Sequence, residues 1–261
     1  MFQHIIYEKK DGVATITLNR PTRYNAFAGS MNSEVTQAFK QAKKDDEVRV
    51  IVLTGAGKAF CSGQDLKDTQ GGEVGERNLG ESVIKRYNPM IKAIYNTPKP
   101  VICRLNGVAA GAGCSLALAC DMIIASQKAS LIEVFVNIGL VLDSGSAFFL
   151  PRIVGSKKAF ELCTMGTKIT AQEALELGIV NRVAAPEKLD ETVKKITDYY
   201  VKAPTKAVGI IKKMLQKSLQ SDLNEMLQYE AYCQEIAGNT ADYKEGVLSF
   251  VEKRKPQFQG K

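Results

Sequence analysis

Histidine is almost absent from this sequence, because His4 is the only one among 261 residues. Ser-His-Asp and Cys-His hydrolases place a histidine beside the nucleophile. His4 lies in the first strand-like segment, where an ordinary surface or edge-strand histidine is expected. The sequence therefore argues against hydrolysis by a triad of this kind.

Paired cysteines are also missing, since no Cys-x-x-Cys motif and no Cys/His cluster occurs. Structural and catalytic metal sites need such spacing, so no metal is expected. Small, apolar neighbours favour reduced structural thiols, and Cys61 is the one most expected to line a site. The six cysteines are Cys61, Cys103, Cys114, Cys120, Cys163 and Cys233.

No apolar run is long enough for a membrane span, which needs about 18–20 residues. The most apolar stretch, 131–142, is interrupted by Glu133 and Asn137. The N-terminus lacks the basic start, apolar core and small-residue cleavage site of a secretory signal. We therefore expect no membrane association and a cytoplasmic location.

The net charge of +7 arises from lysines and arginines spread among acidic neighbours. A dense basic arm or an aromatic–basic motif, which nucleic-acid binding would favour, is not present in the sequence. We expect no nucleic-acid partner. A ligand that carries several phosphates would suit the positive charge better.

Strand-like and helical patterns alternate through the first two thirds of the chain, which favours an α/β fold with parallel pairing. Strands are predicted at 4–9, 13–18, 48–54, 101–105, 122–126, 130–135 and 179–184. Helices are predicted at 30–42, 80–96, 113–119, 146–154, 156–165 and 171–177, with a polar loop at 70–80. The remainder is helical, at 187–202, 204–219, 222–237 and 240–253.

Two glycine-rich turns, at 59–66 and 106–113, each follow a β-branched run. A strand, a turn and then a helix leave backbone N–H groups that can point at a ligand. Two such turns that converge on one oxygen would form an oxyanion hole. The alternative is that their glycines only permit tight turns and close packing.

Together with Asp121 and the segment around Asp143, these turns resemble the crotonase (enoyl-CoA hydratase/isomerase) superfamily, nearly end to end. The resemblance implies a spiral of repeated ββα units over 1–195 and a helical trimerisation region over 196–261. It implies an acyl-CoA thioester as the substrate, so CoA enters with the substrate and no cofactor is expected. A homotrimer or a dimer of trimers is implied, and an enoyl-CoA hydratase is a candidate partner.

The resemblance also implies individual roles. The N–H groups of Gln64 and Ala112, with Gly113 as the neighbouring possibility, would form the oxyanion hole. CoA or the acyl group would contact Arg23, Ala26, Ser62, Gly63, Asp65, Leu66, Lys67, Ser115 and Phe135. For Arg23 the alternative is a solvated arginine beside a proline turn.

Hydratases of this family use two glutamates, and the matching positions here are Ser115 and Phe135. Glu133 would face the same side as Phe135 in an extended strand, which leaves a slipped register open.

Asp143 follows an apolar run. Desolvation there would raise its pKa and make it a catalytic base. Its alternative role is the N-cap of the helix at 146–154.

Segments 86–89, 150–152, 242–247 and 256–258 resemble the ring-epoxide isomerases of phenylacetate catabolism within this family. The resemblance implies an acyl-CoA isomerase that uses Asp143 to shift a C=C bond or to rearrange a ring epoxide to an oxepin.

Three alternatives remain open at this point. An enoyl-CoA hydratase would need Glu133 or another carboxylate to replace the missing pair. A non-catalytic acyl-CoA-binding subunit would support a partner hydratase. A 4-chlorobenzoyl-CoA dehalogenase is disfavoured, because its pattern includes a tryptophan and a helper histidine. This sequence has no tryptophan and only His4.

Overall fold

The computed structural model describes residues 2–67 and 78–261, so most of the predicted loop at 70–80 lies outside the described residues. The strands are β1 Ile5–Lys10, β2 Val13–Leu18, β3 Val50–Gly55, β4 Ala59–Cys61, β5 Val101–Leu105, β6 Val108–Ala110, β7 Met122–Ser126, β8 Ser130–Ile132, β9 Ile169–Thr170 and β10 Arg182–Ala184. The α-helices are α1 Met31–Lys44, α2 Leu79–Ser82, α3 Asn88–Tyr95, α4 Ala112–Leu118, α5 Ser146–Met165, α6 Ala171–Glu176, α7 Leu189–Lys202, α8 Thr205–Ser218, α9 Leu223–Gly238 and α10 Ala241–Val251.

The strands form two sheets that the chain visits in turn. The larger has the order β1-β2-β3-β5-β7-β10 and is parallel except for the β1–β2 hairpin. The smaller has the order β4-β6-β8-β9. Each pair β3–β4, β5–β6 and β7–β8 places one strand in each sheet before the chain enters a helix. The predicted α/β spiral of ββα units is therefore confirmed.

The core lies on both faces of the larger sheet, because neighbouring side chains of a strand point to opposite faces. In β3, Ile51 and Leu53 join the cluster that contains the buried face of α1. Val50 and Val52 face the other way, where α7 covers them. Helix α7 spans residue 195, at which the predicted division of the chain falls.

The segment 130–135 corrects one expectation. Strand β8 ends at Ile132, and residues Val134–Ile138 form a 3-10 turn. Glu133 has φ −89° and ψ 78°, which is not extended. The expectation that Glu133 and Phe135 share one face of a strand is therefore wrong.

The C-terminal helices expose many large apolar side chains. They are Ile211, Leu215, Leu223, Leu227, Tyr232, Ile236, Tyr243, Val247, Leu248, Phe250 and Val251. Asp121 anchors α8 to the sheet: it accepts 2.8 Å hydrogen bonds from the Val101 N–H and from Lys212. Among the described helices, none has the length and apolar character needed to cross a bilayer.

Candidate active site

The two glycine-rich turns lie against each other, because β4 and β6 pair in parallel. A Cβ atom on Gly113 would lie 2.2 Å from the Cys61 carbonyl oxygen. One on Gly63, whose φ is +89°, would lie 2.9 Å from the Ala110 oxygen and 3.6 Å from the Ala112 nitrogen. The glycines therefore permit a close approach, and this approach brings Gln64 beside Ala112.

The backbone directions at this junction follow from the pairing around Phe27. The Phe27 N–H donates to the Gly63 oxygen at 2.8 Å, and the Asp65 N–H donates to the Phe27 oxygen at 2.9 Å. The intervening Gln64 N–H therefore points away from Phe27. Ala112 opens α4, and the first N–H groups of a helix have no acceptor within it. Two neighbouring segments thus each present an N–H group, one outside the pairing with Phe27 and one at the start of α4.

A contact that the sequence did not predict fixes the Gln64 side chain. Tyr87 ends a π-helical turn, Val83–Tyr87, and its hydroxyl donates to Gln64 Oε1. The Tyr87 ring is buried and packs edge-on against Phe27, with 5.7 Å between the ring centroids. Burial also raises the pKa of the Tyr87 hydroxyl, so it remains a donor. A π-turn has no periodic signature by which this residue could have been found.

The loop before Phe27 is tied to the first turn by main-chain and side-chain bonds. Buried Asn25, at φ +56°, donates from Nδ2 to the Ala59 oxygen at 2.8 Å. The Ser62 N–H donates to the Tyr24 oxygen at 3.0 Å. The Cys61 thiol donates to the Asn25 oxygen at 3.1 Å, and burial raises its pKa to about 12. Cys61 is thus a neutral thiol packed under the turn.

A basic cleft of about 510 Å³ opens beside these segments. Arg20, which the sequence analysis missed, forms a 3.0 Å ion pair with Asp65 in its wall. Burial alone would raise the pKa of Asp65, but hydrogen bonds from Arg20 and the Lys67 N–H lower it. The cleft is lined by Gln3, His4, Arg20, Arg23, Ala28, Gly29, Ser30, Asp65 and Lys67.

Three of the predicted CoA contacts, Arg23, Asp65 and Lys67, line this cleft. Leu66 is 62% exposed, so its side chain extends into solvent. Ala26 is buried, and its carbonyl accepts a hydrogen bond from Arg20. Ser62 and Gly63 belong to the first turn, Ser115 lies in α4, and Phe135 lies in the 3-10 turn after β8.

Asp143 is half-buried in the segment that leads into α5. Its Oδ1 is buried and has no hydrogen-bond partner in the described part of the chain. Burial raises the pKa of this carboxyl group, and the neighbouring Ser144 hydroxyl opposes only part of the rise. The N-cap position of α5 is occupied by Gly145, at φ +87°, and no side chain caps that helix. The alternative role of Asp143 as the N-cap is therefore wrong.

The two positions that the resemblance matches to the hydratase glutamates, Ser115 and Phe135, are buried and hold no carboxylate. Ser115 lies in α4, and its Oγ is 2.7 Å from Ser146 Oγ and 3.2 Å from the Asp143 carbonyl oxygen. The Phe135 ring lies beside the second turn, 3.8 Å from where a Cβ of Gly111 would be. Glu133 is 3% exposed and accepts a 2.7 Å hydrogen bond from Ser146.

This fold and the paired turns place the protein in a known class. Residues 8–261 match the family described as Enoyl-CoA hydratase/isomerase, and the chain belongs to that family. It is 40% identical over 262 residues to the 1,2-epoxyphenylacetyl-CoA isomerase of Escherichia coli (strain K12), covering 100% of both chains.

Other relatives carry hydratase names. The chain is 39% identical to a protein named "Probable enoyl-CoA hydratase" from Rhodobacter capsulatus, covering 100% of this chain and 99% of the relative. The crystal structure of an enoyl-CoA hydratase from Bacillus anthracis superposes with a TM-score of 0.93 at 34% identity. That superposition covers 99% of this chain and 100% of the other.

Proposed function

We propose that this enzyme is an acyl-CoA isomerase in which Asp143 carries the proton. One observation supports the proposal above others: Asp143 Oδ1 is buried without a partner among the described residues. A carboxylate in such a site is a stronger base than one in water. The Ser115 and Phe135 side chains leave the usual hydratase positions without an acid or a base.

The thioester carbonyl would accept hydrogen bonds from the N–H groups of Gln64 and Ala112, with Gly113 adjacent. Donors of this kind stabilise the negative charge that develops on the oxygen as the proton leaves, by about 3–4 kcal/mol each. The contact between the turns supports this assignment, because it holds the two donors in place before the substrate arrives.

Asp143 then removes a proton from the carbon next to the thioester, and the electron pair moves onto the thioester oxygen. The dienolate takes the proton back from Asp143 at the far end of the double bond, which completes a C=C shift. When the substrate is a ring epoxide that opens to an oxepin, its thioester oxygen would accept the same two N–H hydrogen bonds. The isomerase relative from Escherichia coli supports the second substrate class.

The cleft supports CoA binding, since Arg23 and Lys67 offer cations to its phosphates. The backbone of residues 62–67 and Ala26 would follow the rest of the CoA arm. The exposed apolar side chains of α8, α9 and α10 support assembly as a homotrimer or a dimer of trimers. A 2-enoyl product would suit an enoyl-CoA hydratase as a partner.

The test follows deuterium and double-bond position by NMR, with a 3-enoyl-CoA in D₂O. We expect exchange by the wild type and a loss of at least about 100-fold in Asp143→Asn. Asp190→Asn is the matched control, because the Asp190 side chain is 81% exposed and we expect full activity.

Equal rates in the wild type and Asp143→Asn would refute the role of Asp143. Water addition to crotonyl-CoA at a comparable rate would favour the hydratase alternative. If CoA esters bind but neither a 3-enoyl-CoA nor a ring-epoxide substrate reacts, the isomerase proposal fails. The protein would then be a non-catalytic acyl-CoA-binding subunit.

A further inference from the structure

A buried carboxylic acid lies next to the proposed active site, and the mechanism above does not use it. Glu133 is 3% exposed, and Ser146 Oγ donates to its Oε1 at 2.7 Å. Its other oxygen, Oε2, is buried with no hydrogen-bond partner among the described residues. Burial of a carboxyl group with so few donors is costly unless the group holds a proton for part of the time.

Two serine hydroxyls connect Glu133 to the backbone of Asp143. Ser146 Oγ lies 2.7 Å from Ser115 Oγ, and Ser115 Oγ lies 3.2 Å from the Asp143 carbonyl oxygen. Ser115 Oγ is also 3.3 Å from the carbonyl oxygen of Gly111, the residue before Ala112. Both serines are fully buried, so bulk water does not compete for these bonds.

The direction in which the two serine hydroxyls donate depends on whether Glu133 holds a proton, because each hydroxyl has one hydrogen to donate. When Glu133 is ionised, Ser146 donates to it and Ser115 can donate to Ser146. When Glu133 is protonated, it can donate to Ser146, and Ser146 can donate to Ser115. The Ser115 hydrogen is then released to the carbonyl oxygen of Asp143 or of Gly111.

We propose that Glu133 is a positioning residue whose protonation switches the Ser115 hydroxyl between Ser146 and the backbone of the active site. The proposal rests on the proposed role of Asp143 for its effect on catalysis. The switch itself is a property of the hydrogen-bond chain. It would fix the Asp143 backbone when Glu133 is protonated and release one of its donors when Glu133 ionises.

The surroundings of Glu133 support titration near neutral pH. The titratable groups that face it are Asp143, Cys114 on α4 and Cys163 on α5. Burial raises the pKa of both thiols, so they remain neutral. Burial, opposed in part by the Ser146 hydrogen bond and by the nearby Cys114 thiol, raises the pKa of Glu133 to about 7.

The sequence offers a direct probe of this switch, because Asp-Ser occurs only once, at 143–144. Labelling with carbonyl-¹³C aspartate and ¹⁵N serine gives one amide–carbonyl cross-peak, which Asp143→Asn removes and so assigns. We expect its ¹³C shift to titrate with a midpoint near 7 in the wild type. In Glu133→Gln and in Ser115→Ala this titration should disappear, and Ser126→Ala, a buried serine on β7, should retain it.

Each outcome decides between the alternatives. A titration that survives in Ser115→Ala would show that the Glu133 charge acts through space, and it would overturn the hydroxyl chain. A cross-peak that does not move near pH 7 in the wild type would overturn the proposal outright. Neither reading requires activity, so a failure of Asp143 as the proton carrier would be seen separately in the exchange assay.

A kinetic readout separates positioning from stability. We expect the ratio of wild-type kcat to Glu133→Gln kcat to fall by about threefold or more between pH 6 and pH 8, because small displacements of a reacting group lower the rate steeply. KM should remain within about twofold, since none of the described residues that line the cleft takes part in the hydrogen bonds from Glu133 to Asp143. A change confined to KM would contradict the positioning role.

Discussion

Replacing Glu133 by glutamine should make the protein less sensitive to alkaline pH. Glutamine has the same shape as the protonated acid and can keep the hydrogen bond with Ser146, but it cannot ionise. The wild type must either keep a proton on Glu133 or bury a charge beside Asp143. The variant avoids this choice, so the two proteins should diverge as the pH rises.

The size of the divergence follows from the pKa. A carboxyl group whose pKa is 4.5 when unfolded and about 7 when folded binds its proton more tightly in the folded state. Its contribution is complete below the unfolded pKa and is lost as the pH rises towards the folded pKa. The total loss is about 3 kcal/mol, of which roughly 2.5 kcal/mol falls between pH 5 and pH 8.

Urea unfolding of the wild type and Glu133→Gln at several pH values measures this difference. We expect the free energy of unfolding of the variant, relative to the wild type, to increase by about 2–3 kcal/mol from pH 5 to pH 8. Other titrating groups are shared by both proteins and largely cancel. A constant difference across this range would show that Glu133 has an ordinary pKa, and the burial argument would be wrong.

Two further substitutions probe the site. In Gly113→Ala, the Cβ atom would lie 2.2 Å from a backbone oxygen, so we expect a loss of about 2 kcal/mol in thermal unfolding and at least a tenfold loss of kcat. Gly238→Ala, with nothing within 4 Å, is the control and should be neutral or slightly stabilising. Tyr87→Phe removes the hydroxyl that donates to Gln64, so we expect the free energy of unfolding, measured with urea, to fall by about 1 kcal/mol and kcat to fall as well. Unchanged values of both would show that Gln64 needs no support from Tyr87.

Local pattern predicted the long strands well and the short ones poorly. Strands β5 and β7 have the predicted bounds, because both are mostly apolar and almost entirely buried. Strands β4 and β6 have three residues each and lie within the glycine-rich turns. They form because each supplies an edge for the other, which a local window does not contain.

Sequence patterns likewise predicted only part of the candidate site. The turns that present Gln64 and Ala112 were predicted, because glycine spacing is visible in the sequence. Arg20 and Tyr87 were not, since their contacts join residues 45 and 23 positions apart. Glu133 itself has a non-extended backbone, and the chain turns directly after it. The strand periodicity ends there, so it does not predict where the Glu133 side chain lies.

The alternation of β3 has a thermodynamic consequence. Val50 and Val52 belong to one apolar cluster and Ile51 and Leu53 to the other, so this strand contributes to both layers. Loss of α7 would expose half of β3 and weaken the pairing on which the opposite layer depends. The two layers therefore form one cooperative unit, and β3 amides should exchange with solvent only when the whole domain unfolds.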